Sequence, residues 1–153
     1  MSQVEKNRQE ENSGNKEGRG EIGRLASQSQ LDFELEFFDR ILDGKSDYVD
    51  VLRVQANNLS TKGLHSRGLD VDKRLVSLRP GDPLAHYNLA CSYALLSMTD
   101  AALASLEESL RLGYYDFEHL LRDPDMERIR ADKRFLGMLR SYLKKVGVSR
   151  TRR

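Results

Sequence analysis

Apolar side chains recur at helical spacing from about residue 32 onward, with polar residues filling the intervals. Phe33, Phe37, Phe38, Ile41 and Leu42 predict a first helix, capped by Asp32 and ended by Gly44. Val51, Leu52, Val54, Ala56 and Leu59 predict a second over residues 47–62, which Gly63 stops. Leu69, Val71, Leu75, Val76 and Leu78 place a third over 65–78, closed by Pro80. Pro83 suits the first turn of a fourth helix reaching Ser97. A fifth runs from Thr99 or Asp100 to Gly113.

After Gly113 the pattern changes. Residues 116–121 begin another helix, but Asp123-Pro124-Asp125 cuts it short, with Asp123 placed to cap a new turn that starts at Pro124. Asp132 precedes a last helix over 133–146, which carries Phe135, Leu136, Leu139, Tyr142, Leu143 and Val146 on one face. Upstream, residues 1–30 hold only Met1, Val4, Ile22, Leu25 and Ala26 as apolar positions, too few to offset the entropy of ordering. A disordered tail is expected there, and a short flexible basic tail over 147–153.

Tight turns between helices of this length suggest helical hairpins, and a shift of 34 residues reveals an internal repeat. Leu52 then falls on His86, Ala56 on Ala90, Leu59 on Tyr93, Gly68 on Ala102 and Leu69 on Leu103. Tyr87-Asn88-Leu89-Ala90, Tyr93, Ala102 and Leu106 form a pattern that resembles the tetratricopeptide repeat. The stretch from Val49 to Pro80 matches at Leu52, Ala56, Leu59, Gly68 and Pro80, while Gln55 and Asp72 stand where apolar residues are usual. Residues 113–139 resemble the closing segment of many bacterial tetratricopeptide chains. The resemblance implies an all-α fold, a right-handed α-α superhelix of helical hairpins with a C-terminal capping helix. It divides into a half-repeat over 31–44, repeats over 47–80 and 83–113, and a closing segment over 114–146.

Composition changes this picture little. The 153 residues suffice for one domain, and 25 Lys and Arg against 24 Asp and Glu give no overall bias towards nucleic acid or membrane. The balance hides a skew: the last ten residues carry five basic side chains and no acid. That tail offers the second reading, tethering to a nucleic acid or lipid surface, though five charges without interleaved aromatics give weak, salt-sensitive affinity. The single Cys91 fits a reducing compartment, no secretory signal or membrane-spanning run is visible, and a cytoplasmic location is expected.

Nothing in the sequence assembles a catalytic site. Cys91 has no activating base near it in sequence, and His65, His86 and His119 fall in three different hairpins without metal-ligand spacing. No catalytic residue, metal, cofactor or small-molecule substrate is therefore expected. The resemblance implies instead an adaptor whose first helices line a concave groove for a partner peptide or helix. Groove-facing positions are Arg53, Asn57 and Ser60 on one helix, and Tyr87, Cys91, Ala94 and Leu95 on another. Arg53, Asn57, Asn88 and Arg122 also partly match the carboxylate clamp by which some members hold acidic C-terminal peptides. Glu118 stands where that clamp needs Lys, so a different peptide is expected.

Overall fold

Helix ends along this chain are written by local hydrogen bonds. In the computed structural model, which describes residues 29–147, Ser29 Oγ accepts the Asp32 amide hydrogen and opens α1, Gln30–Gly44. Asp32 therefore sits inside the first turn and is not the cap, because the serine three residues earlier reaches the same amide. The tails expected over 1–30 and 147–153 lie outside the described residues, apart from Ser29, Gln30 and Gly147.

Four helices follow: α2 (Val49–Thr61), α3 (His65–Leu78), α4 (Pro83–Leu95) and α5 (Thr99–Arg111). Asp82 caps α4 by accepting from the Leu84 and Ala85 amides, with Pro83 in the first turn. Between α2 and α3, Gly63 adopts φ +76°, and the Leu64 amide donates back to the Leu59 carbonyl. The same turn recurs between α4 and α5 with Ser97 at φ +61°, and Met98 donating to Tyr93. Ser97 meets a steric cost there that glycine escapes. The pair α4–α5 thus repeats the pair α2–α3 with its start displaced by 34 residues.

The chain then breaks into short pieces: α6 (Phe117–Arg122), a 3-10 turn at Pro124–Met126, α7 (Glu127–Arg130) and α8 (Lys133–Lys145). Asp116, Asp123 and Asp132 cap α6, the 3-10 turn and α8 respectively. Among the described residues the architecture is all-α, without a strand.

Consecutive helices from α1 to α5 pack against one another. Their short connections make neighbours run antiparallel. Ala90, Ala94 and Ala102 are almost fully buried where α4 and α5 meet, and their small side chains permit a close approach. The larger core joins α4 and α5 to the closing segment through Leu106, Tyr114, Leu120, Met126, Ile129 and Phe135. A smaller one lies between α2 and α3 at Leu52, Ala56 and Leu75.

Several apolar positions are not core. Phe33 and Phe37 are 54% and 48% exposed and stack on each other, while Leu35 is the buried residue of α1. Among the described residues α1 packs chiefly against α2, which leaves these two rings in solvent. Val54 on α2 and Leu136 on α8 are likewise exposed. Burial thus separates two apolar positions that the sequence treats alike. Leu89→Asp should lower the free energy of unfolding by about 3 kcal/mol or more, and Val54→Asp by no more than about 0.5 kcal/mol. Urea unfolding of both variants checks this, and equal losses would contradict the assigned packing.

Candidate functional site

The repeated register leaves two positions of the first hairpin polar where the second has Leu89 and Leu106. Those polar residues, Gln55 and Asp72, are nevertheless buried. Gln55 donates to Asp39 on α1. Asp72 on α3 accepts from Ser92 Oγ on α4 at 2.5 Å through its Oδ2, whereas Oδ1 is covered and meets no donor. Burial pushes the Asp72 carboxyl up to about 6, against the weaker opposing pull of the Ser92 hydrogen bond. A half-satisfied buried carboxylate is an expensive feature for a core to carry.

Asp123 works differently. Its Oδ1 accepts the Asp125 amide hydrogen at 3.0 Å and so caps the 3-10 turn. Its Oδ2 accepts from Tyr87 Oη on α4 at 2.6 Å, lies 3.7 Å from Cys91 Sγ, and sits 3.3 Å from His119 Nε2. Arg130 donates to the Asp123 carbonyl and to that of Leu120, which fixes the turn from the other side. Tyr87 stacks on Tyr114 with ring centroids 4.3 Å apart. Burial, followed by the bond to Asp123, pushes the Tyr87 phenol well above its ordinary value.

Asp72, Tyr87, Cys91, His119, Asp123 and Asp125 help bound a cavity of about 280 Å³ between α2, α3, α4 and the closing segment. Its lining includes Arg53, Asn57 and Ser60 from α2 and Tyr87, Asn88, Cys91 and Leu95 from α4. Seven positions chosen from the sequence therefore meet on one concave surface. Their exposure differs, however. Arg53 and Asn57 are open to solvent, whereas Tyr87 and Cys91 are buried and form floor beneath the cavity. Ala94 is buried and does not line it.

Arg122 is elsewhere. It pairs with Glu118 at 2.8 Å on the exposed side of α6 and does not line the cavity. Arg53 is engaged too, with Asp82 at 2.5 Å. The clamp geometry thus lacks Arg122 and has Arg53 already paired, and the lining supplies Asp72, Asp123 and Asp125. In the sequence Asp123 and Asp125 look like helix punctuation, and Asp72 like an irregularity in the repeat. The signal for Asp72 is that same irregularity, a charge at a position filled by Leu106 one repeat later.

Cys91 is not poised for nucleophilic chemistry. Burial, reinforced by the Asp123 and Asp125 carboxylates, pushes its thiol well above the ordinary value, away from the reactive thiolate. His86 does not fill a core position: its Nε2 lies 2.9 Å from the Pro80 carbonyl oxygen and braces the turn before α4. Among the described residues no group of three or more His, Cys, Asp and Glu side chains could hold a metal ion. None of the helices described is long and apolar enough to cross a membrane.

The Asp72 shift has a definite pH signature. Its folded-state pKa lies above the unfolded one, so the folded form holds the proton more tightly. The group's contribution is most favourable below about pH 4 and is lost as pH rises from about 4 to about 6. Asp72→Asn keeps an acceptor for Ser92 and removes the charge. At pH 7 it should be more stable than wild type by about 1–3 kcal/mol, with the advantage shrinking towards pH 4. Chemical unfolding at both pH values tests this, and a variant less stable at pH 7 would contradict it.

Comparison with known proteins places one partial relative beside these observations. A chloroplastic protein of Arabidopsis thaliana is 42% identical over 59 residues, a match covering 39% of this chain and 18% of that protein. The chain thus spans under a fifth of the length of the relative it matches. No family model matches the chain. No solved structure matches it either.

Proposed function

We propose that the chain is a non-catalytic protein-interaction module of the tetratricopeptide type. In this reading α2–α3 and α4–α5 are two successive repeats of a right-handed superhelix, α1 is a half-repeat before them, and residues 114–146 close the array. A partner peptide or helix is held against the concave side of α2 and α4. The observation that carries the reading is the convergence of Arg53, Asn57, Ser60, Tyr87, Asn88, Cys91 and Leu95 on one cavity. Those residues come from two helices whose starts are 34 residues apart, the period of this repeat class. The raised Cys91 thiol supports a binding role over covalent chemistry. The proposed location is the cytoplasm, with a chloroplast compartment as the alternative that the relative's name introduces.

The test uses the immobilised full chain, a form ending at Val146, and Asn57→Trp. Asn57 is exposed at the cavity, so the indole fills the space without disturbing the core. A partner captured from cell extract by the full chain should still bind the form ending at Val146. It should be lost from Asn57→Trp at unchanged stability. Loss on removing the basic tail, with capture retained by Asn57→Trp, would instead favour tethering through that tail.

A further inference from the structure

The cavity is electrostatically one-sided. Three carboxylates, Asp72, Asp123 and Asp125, stand in its lining against one guanidinium, that of Arg53. Arg53 is paired with Asp82, and His119 lies beside Asp123. Asp123 has its own donors in Tyr87 and the Asp125 amide. The other two acids are less well served. Asp72 is 4% exposed, and its Oδ1 is buried without a donor. The Asp125 carboxylate engages in no hydrogen bond or ion pair among the described residues, and burial, then Asp123, raises its pKa against the pull of His65 and His119.

We propose that this cavity receives the cationic end of one lysine or arginine side chain presented by the partner segment. The inference rests on the protein-binding reading above and specifies the chemistry of the bound segment. An ammonium or guanidinium brings several donors and no acceptor, matching acids that lack donors. Asn57, Asn88 and Ser60 add neutral polar groups, while Ala56 and Leu95 offer apolar surface for the methylene stem. A volume of about 280 Å³ lies just below the range of small-molecule pockets and suits one long side chain. A carboxylate would meet three like charges. An inorganic cation would lack a ligand set, since no metal-holding group of side chains exists among the described residues. The partner segment is accordingly basic, the reverse of what an acidic-peptide clamp would take.

The experiment is an NMR titration of the full-length chain with n-butylguanidinium and n-butylammonium, and with neutral n-butylurea as the control. Either cation should shift the side-chain amides of Asn57 and Asn88 at roughly one-tenth or less of the concentration that n-butylurea requires. Asp72→Asn and Asp125→Asn should each weaken the cation response about tenfold, and the folded spectrum of each variant shows that the loss is local. Equal response to n-butylurea, shifts confined to other surfaces, or unchanged binding in both variants would overturn the proposal. Tighter binding of butyrate or of calcium ion at the same amides would overturn it as well. The two readings fail separately. Cation binding at Asn57 and Asn88 without any protein partner would leave the site standing and remove the adaptor role. A partner that both Asp→Asn variants still bind at full strength would keep the adaptor role and remove the cationic contact.

Discussion

Asp123 joins parts of the chain that no long helix interface brings together. One oxygen caps the 3-10 turn at Pro124, and the other accepts a hydrogen bond from the Tyr87 hydroxyl across 36 residues of sequence. A charge-assisted bond of this kind, buried beside stacked rings, contributes on the order of 1.5–3 kcal/mol. Through it the irregular stretch after α6 is held against α4, where Leu120, Met126 and Ile129 complete the larger core. Remove the carboxylate and the turn loses its cap at the same moment as its anchor. The wall that the closing segment contributes to the cavity depends on the same bond, because His119 and Asp125 flank Asp123 on either side.

The rest of the molecule shows why such a polar anchor is tolerated. A hairpin array buries only the faces between neighbours, so each interface is small and its polar members matter. Gln55 and Asp72 are buried in the first hairpin where the second has Leu89 and Leu106, so the first has fewer apolar side chains to bury. The smaller core of α2–α3 reflects that difference. A buried carboxylate with an unmatched oxygen lowers stability, and this one stands on the lining of the cavity shared by α2, α3 and α4.

Much of this is legible in the amino-acid order alone. Asp82-Pro83, Gly63 and Pro80 mark helix edges, and α3 runs over the residues that its periodicity predicts. Asp123 and Asp132 are caps, as their places before Pro124 and the last helix imply. The start of α1 lies earlier than expected because Ser29 and Asp32 are both good capping residues, and only geometry chooses between them. Periodicity also overstates burial at Phe33, Phe37, Val54, Leu136 and Val146, since it registers a face without knowing whether a neighbour covers it. The cavity is half visible. Positions on α2 and α4 follow from the repeat, but its acid wall depends on Asp72 from α3 and on Asp123 and Asp125 from a segment outside the repeat. The repeat marks Asp72 only as a charge opposite Leu106, and no period links Asp123 and Asp125 to the others, so the sign of the site is largely hidden in the sequence.

The account stands or falls on the link between the closing segment and α4, and a double-mutant cycle measures that link. Tyr87→Phe removes the hydroxyl donor, and Asp123→Asn removes the charge while retaining an oxygen to cap the turn. Each single variant should lose about 1–3 kcal/mol of unfolding free energy. The double variant should lose clearly less than the sum, with a coupling of about 1 kcal/mol or more. Strictly additive losses, or a Tyr87→Phe variant as stable as wild type, would contradict the central role assigned to the Asp123 carboxylate.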